Sequence, residues 1–222
     1  MTVIRTLKRL APLALLYAAM RYYRDWGATK GECRQRFPGD TLVADPAVQM
    51  TEAVSVDAPP SAVWPWLVQI GLDRGGLYLN TRVGRFVHLN FHNAESVDPR
   101  WQQIAVGDAI AVAPPGWLGR SEGISLVVSQ IAPEQRLVFR TNQPDLPSMV
   151  WSFVLEPQGD EHSRLLVRAR GALRRPGVVA AMELLRPAAA LATRAALHAI
   201  KQRAEREYRA RGATVVVRGV AT

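Results

Sequence analysis

Short runs of alternating apolar and polar residues fill the middle of the chain. Such alternation predicts strands with one buried face. The first candidate strand, 51–57, places Val54 and Val56 on one side. Five more follow an irregular segment, at 109–113, 124–131, 136–141, 149–156 and 164–170. Their short connections predict an antiparallel meander in which Trp151 faces inward and Arg164, Arg168 and Arg170 face mostly outward.

Apolar residues recur at helical spacing on either side of this meander. Residues 61–70 follow a Pro-Pro pair, which suits a first helical turn. Residues 177–212 form a much longer candidate helix, with a predicted kink at Pro187 and a stop at Gly212. A further short helix is predicted near 82–88.

The order of elements is a strand, a helix, an irregular segment, a run of antiparallel strands and one long helix. A single sheet that curves around the closing helix buries the apolar faces of all of them. We therefore predict an α+β fold of the helix-grip type: a curved antiparallel sheet wrapped around a long C-terminal helix, with an extra N-terminal helix. One helix cannot fill a strongly curved sheet, so a hollow is expected between the two.

The N-terminal segment combines basic residues with an apolar run from Leu10 to Met20, and Trp26 follows it. These eleven apolar residues would rise about 16 Å as a helix, well short of the ~30 Å hydrocarbon core of a bilayer. The pattern favours a helix in the headgroup layer of a membrane. A helix packed on its own domain, and a signal sequence or membrane span, are the alternatives.

These patterns divide the chain into four parts. Residues 1–26 are the apolar and basic N-terminal helix, a candidate membrane-surface anchor. Residues 27–50 are rich in turn residues and form a predicted surface connector. Residues 51–212 are the ligand-binding domain, and residues 213–222 are a C-terminal tail.

Charge is distributed unevenly along the chain, which has a net charge of +9. Residues 1–36 carry eight basic and two acidic residues, and residues 168–222 carry twelve and three, whereas residues 37–167 carry eight and fourteen. Basic ends around an acidic middle favour an anionic membrane surface over nucleic acid as a partner. The single cysteine, Cys33, excludes an intrachain disulfide. We therefore expect a cytoplasmic protein, with peripheral attachment to the inner face of the membrane as an option.

The clearest resemblance to a known family lies at residues 54–71, which read VSVDAPPSAVWPWLVQIG. This stretch resembles the opening of START-like (SRPBCC) proteins, a superfamily that contains polyketide cyclases/dehydrases, lipid-transfer domains and the birch-pollen allergen. Further matches to a bacterial branch are RGGLY (74–78), HNAESVDPRWQ (92–102), VGD (106–108) and WSFVLEP (151–157). The resemblance implies a helix-grip fold with a cavity for a lipid-, polyketide- or terpenoid-like ligand. It implies no particular chemistry.

One departure from that branch follows the Gly-Gly-x-Tyr motif. The branch often continues with an aromatic and acidic pair, whereas this chain has Leu79, Asn80, Thr81 and Arg82. An acid at that position is therefore missing here.

Candidate site residues lie mainly between 66 and 102, where the irregular segment would border the cavity mouth. Trp66 and Gln69 are three apart on the first helix and can present one surface. The other predicted ligand-binding residues are Tyr78, His92, Asn93, Trp117, Trp151 and Met182.

Acid–base chemistry would fall to His92, Glu95 or Asp98. A carboxyl or imidazole group beside apolar walls has a shifted pKa and can move protons. His88 and His92 are four apart, a spacing that suits two metal ligands on a helix, but no third ligand is evident. No metal and no cofactor are expected, and a structural loop is the plainer interpretation of this segment.

Three functions are compatible with the sequence. The leading one is binding of a small hydrophobic ligand in an internal cavity. The alternative is a cyclase or dehydratase that works by general acid–base catalysis in the same cavity. The third is a membrane-associated scaffold whose cavity is closed by Trp66, Trp151 and Met182.

Overall fold

Six strands form one antiparallel sheet in the order β1-β6-β5-β4-β3-β2. The computed structural model describes residues 25–79, 92–173 and 176–219. All six predicted strands are confirmed, with ends that differ by a few residues at most. The strands are β1 Val48–Val56, β2 Ala109–Ala113, β3 Ile124–Ala132, β4 Arg136–Thr141, β5 Ser148–Pro157 and β6 Ser163–Ala172.

Among the described residues, three α-helices accompany the sheet: α1 Lys30–Arg34, α2 Pro60–Val68 and α3 Pro176–Gly219. The helices predicted at 61–70 and 177–212 correspond to α2 and α3. The predicted stop at Gly212 is wrong, because α3 continues past it to Gly219. The short helix predicted near 82–88 and residues 1–24 of the predicted N-terminal helix lie outside the described residues.

The sheet is curved, and two of its strands are irregular. Register shifts lie between Ala111 and Ala113 on β2 and between Val128 and Gln130 on β3. An extra residue on one strand of a pair bends that strand and increases its twist. The irregularities therefore help the β2–β3 side of the sheet to curve.

The helix α3 packs across β1 and against α2 on the concave face of the sheet. Val56 and Leu165 from the sheet, Val63 from α2, and Leu197 and Ile200 from α3 are all fully or almost fully buried in one cluster. This arrangement confirms the α+β helix-grip fold. The core lies between the sheet and its long C-terminal helix.

The convex face of the sheet is also covered over much of its area, although one buried face was expected. Phe37 packs with Ala53 and Leu166, and Val43 packs with Val138. The covering residues belong to the segment predicted as a surface connector. Strands buried on both faces carry nearly continuous apolar runs, and MVWSFVLE at 149–156 is such a run.

Arg168 attaches this covering segment, which contains α1 and residues up to Val43, to the sheet. Its side chain is only 2% exposed, and its guanidinium lies 3.9 Å from the centroid of the Phe37 ring. All five of its N–H groups are used in hydrogen bonds. They donate to Thr51 Oγ1, to Asp40 Oδ2 and to the carbonyl oxygens of Glu32, Cys33 and Gln35. The outward direction predicted for Arg168 is correct, but the side chain is buried because the segment containing α1 covers it.

Replacing this guanidinium tests how strongly the cover depends on it. We expect Arg168→Met to lower the free energy of unfolding by about 3–5 kcal/mol, because three carbonyl groups lose their buried donor and Asp40 loses one of its two arginine partners. Urea denaturation followed by circular dichroism measures the change.

Arg140→Met is the matched control. Arg140 lies on β4 and is exposed, so this substitution should change the free energy of unfolding by less than about 0.5 kcal/mol. Equal effects of the two substitutions would show that the Arg168 contacts do not stabilise the fold.

Candidate ligand-binding cavity

A cavity of about 240 Å³ lies between the concave face of the sheet and α3. The sheet supplies one wall and the middle of α3 supplies the opposite wall. The segments after α2 complete the lining. The lining residues are Ile70, Leu77, Leu79, Ile110, Val112, Leu126, Phe139, Trp151, Phe153, Val167, Ala192, Thr193, Ala196, Leu197 and Ile200.

Small side chains on α3 leave this space open. Ala192 and Ala196 are four residues apart on the helix, and both line the cavity. Aromatic rings stand on the sheet side, where the rings of Phe139 and Phe153 meet edge to face at a centroid distance of 6.1 Å. Methyl groups on one wall and large rings on the other create a hollow that is narrow and apolar.

The lining offers little hydrogen bonding. Fourteen of the fifteen lining residues are apolar, and the exception is Thr193. The Thr193 hydroxyl donates to the carbonyl oxygen of Ala189 at 3.0 Å, so its proton is already used within the helix. The walls therefore suit a hydrocarbon surface.

The buried side chain of Gln69 holds two chain segments beside the cavity, residues 71–79 and residues 92–98. Gln69, at the end of α2, donates through its side-chain nitrogen to the Tyr78 hydroxyl at 2.8 Å. Its side-chain oxygen accepts from the backbone N–H of Asp98 at 3.2 Å. Gln69 thereby connects α2 to both chain segments that flank residues 80–91. Leu77 and Leu79, which line the cavity, lie on either side of Tyr78.

Tyr78 occupies an unusual position in this loop. Its backbone has φ of 54°, a left-handed conformation that is uncommon for a bulky residue. Its ring meets Trp66 edge to face at 6.1 Å, and burial raises the pKa of its hydroxyl to about 12. The neighbouring Gly76 also has positive φ, and a Cβ there would lie 2.1 Å from the His92 carbonyl oxygen. The backbone around Gly76 and the side chain of Tyr78 are therefore both closely packed.

The predicted ligand-binding residues occupy several different places. Trp151 lines the cavity. Trp66, Gln69 and Tyr78 are almost completely buried, but they pack behind the lining and do not form part of it. The others are also outside the lining. His92 is exposed, Trp117 and Met182 are half-buried, and half-buried Asn93 donates to the Leu79 carbonyl oxygen.

The acidic candidates are engaged in ion pairs away from the cavity. Glu95 pairs with Arg206 at 3.3 Å and with Arg203 at 3.0 Å, and these contacts lower its pKa. Asp98 caps a short 3₁₀ turn and pairs with Arg100 at 2.6 Å, which lowers its pKa as well. Neither residue lines the cavity.

Within residues 25–79, 92–173 and 176–219, no group of three His, Cys, Asp or Glu side chains is arranged to hold a metal ion. Among the described helices, none combines the length and the hydrophobicity needed to cross a bilayer. His88 falls outside these residues.

Comparison with known proteins finds distant matches among solved structures. No family model and no curated protein matches the chain. A solved structure from Thermobifida fusca is 17% identical with a TM-score of 0.46, over 71% of this chain and 93% of that one. CalU16 from Micromonospora echinospora is 14% identical with a TM-score of 0.36, over 73% and 86%. An HSP90 activator from Plasmodium falciparum is 10% identical with a TM-score of 0.37, over 62% and 86%.

One buried acid was missed by the sequence analysis. Glu52 on β1 is fully buried, and neither of its carboxyl oxygens has a hydrogen-bond partner. Burial raises its pKa to about 8, an effect that Arg194 opposes and Asp25 reinforces. The alternation that places Val54 and Val56 inward places Glu52 inward too, so the strand pattern did contain a signal.

The raised pKa of Glu52 makes stability depend on pH. The folded protein binds this proton more tightly than the unfolded chain, whose Glu pKa is near 4.5. The contribution of Glu52 is therefore fully present below about pH 4.5, falls as pH rises and is lost above about pH 8. Relative to Glu52→Gln, we expect the wild type to lose on the order of 3 kcal/mol between pH 5 and pH 9.

Denaturant unfolding of both proteins at fixed pH values measures this difference. Glu122→Gln is the control, because Glu122 is exposed and its replacement should leave the pH profile of the wild type unchanged. A constant difference between wild type and Glu52→Gln from pH 5 to pH 9 would contradict the assignment.

Proposed function

We propose that this protein binds a small, predominantly apolar molecule in the cavity between the concave sheet and α3. The observation that supports this function is the lining, in which fourteen of fifteen residues are apolar. Protein interiors are closely packed, and an apolar ligand that fills this space removes its own surface and that of the walls from water, which favours binding.

The size of the cavity narrows the class of ligand. Its volume of about 240 Å³ is below the ~300–1,000 Å³ typical of sites for drug-sized ligands. A compact terpenoid- or polyketide-like molecule, or one segment of a lipid chain, suits this volume. The START-like family assignment, which rests on motifs within residues 54–157, agrees with such a ligand and stays a prediction.

The enzymatic alternative receives no support from this geometry. A cyclase or dehydratase would need His92, Glu95 or Asp98 at the cavity, but His92 is exposed and both acids are held in ion pairs with arginines away from the cavity. The scaffold alternative required Trp66, Trp151 and Met182 to close the cavity. Only Trp151 reaches the lining, where it forms part of a wall around open space. Ligand binding is therefore the function that we put forward.

Attachment to an anionic membrane surface stays a prediction. Residues 1–24, which would form most of the anchor, lie outside the described residues. Trp26, which follows the apolar run of this segment, lies 3.9 Å from the guanidinium of Arg194 and 5.2 Å from the His198 ring. This contact with α3 favours the alternative in which the N-terminal segment packs on its own domain.

Filling the cavity should abolish binding. We expect Ala196→Met to weaken binding of 2-methylnaphthalene at least ~10-fold, because its side chain would occupy the space between α3 and the aromatic wall. Methionine is a good helix former, so α3 should be retained. Isothermal titration calorimetry measures the affinity, and native mass spectrometry of protein purified from its own host detects a natural ligand.

Ala188→Met makes the same change at an exposed position of the same helix and should alter the affinity less than ~2-fold. The proposal fails if Ala196→Met binds the probe as tightly as the wild type, or if the wild type binds no apolar probe and carries no bound molecule.

A further inference from the structure

Glu52 lies one strand away from the wall of the cavity. Its register partner on β6 is Val167, and the partner of Val167 on β5 is Phe153. Both of those residues line the cavity. Directly opposed side chains on one face of a sheet are about 5 Å apart at Cβ. The carboxyl group therefore belongs to the same cross-strand row as the lining.

The helix on the other side also brings cavity residues close to Glu52. Thr193 and Leu197 line the cavity from α3, and α3 packs across β1. Arg194, which follows Thr193, is the charged residue of α3 whose field acts on Glu52, and Asp25 acts on it from the segment before α1. The Glu52 side chain thus lies between β1 and α3, next to Val167 but outside the residues that line the cavity, so a ligand reaches its carboxyl only by extending past Val167.

The carboxyl group is costly in the absence of a partner. It is fully buried, and both of its oxygens lack a hydrogen bond. Burying a polar group without a hydrogen bond costs free energy, whereas an apolar residue of similar size would not. Such a cost is expected where a polar group serves a functional site.

We propose that Glu52 is the polar recognition group of the cavity, and that the ligand is a small hydrocarbon-rich molecule with a neutral oxygen function, a hydroxyl or carbonyl group, that hydrogen-bonds to the Glu52 carboxyl. This inference rests on the proposed ligand-binding function and deepens it. With its pKa at about 8, Glu52 is protonated near neutral pH and can donate its O–H to such an oxygen. The positive field of Arg194 disfavours a cationic ligand at the same place.

Two probes of nearly equal shape test the inference: 2-naphthol and 2-methylnaphthalene, which differ by a hydroxyl in place of a methyl group. Affinities are measured by calorimetry at pH 6 for the wild type, Glu52→Leu and Glu52→Gln. We compare the ratio of the two affinities between proteins, because the ratio cancels the general hydrophobicity of each variant.

We expect the preference for 2-naphthol over 2-methylnaphthalene to fall at least ~10-fold in Glu52→Leu, which cannot hydrogen-bond. Glu52→Gln keeps a donor at the same place and should stay within ~3-fold of the wild type. Near-UV circular dichroism checks that both variants are folded, and leucine is well tolerated in an apolar core.

The outcomes separate the two proposals. An unchanged ratio in Glu52→Leu, with both probes still bound, overturns the role of Glu52 and leaves the ligand-binding function standing. Equal losses of preference in the Gln and Leu variants also overturn the hydrogen-bonding role. Binding of neither probe to the wild type contradicts the ligand-binding function itself.

Discussion

The space between a curved sheet and a single helix depends on how far the side chains of that helix reach. In this protein, Ala192 and Ala196 lie where α3 faces the aromatic wall formed by Phe139, Trp151 and Phe153. Their methyl groups cannot reach the sheet as leucine or methionine would. A cavity follows from this pairing of small and large residues, and the rest of the site is arranged around it.

The two faces of the sheet are covered by different parts of the chain, and the proposed ligand site lies on the concave face. On the convex face, Arg168 holds the segment containing α1 against the strands through five hydrogen bonds. On the concave face, Gln69 and Tyr78 hold the loop beside the cavity while leaving the lining apolar. Hydrogen bonds therefore hold the segments that surround the sheet in place, and apolar side chains line the cavity.

The sequence predicted the strands and the two main helices because alternation and helical spacing directly reflect burial. The same patterns could not say what covers a face. Arg168 points outward as the alternation requires, but no periodicity in residues 27–50 indicates that this segment would bury it. Trp66 and Gln69 do share a helical surface. However, Tyr78 contacts both of them and Asp98 contacts Gln69, and neither side chain belongs to the lining. Glu52 occupies an inward position of β1. A carboxyl side chain is rarely buried without a partner, so the alternation alone did not identify it as a core residue.

Methyl NMR spectra of the full chain, recorded during titration with 2-methylnaphthalene, test the central claim most directly. Selectively labelled Ile, Leu and Val methyl groups report on both faces of the sheet at once. We predict that shifts concentrate on cavity residues such as Ile110, Leu126 and Ile200, while Val138 and Leu166 on the convex face stay unchanged. Shifts centred on the convex face, or none at saturating probe, would contradict a binding site between the sheet and α3.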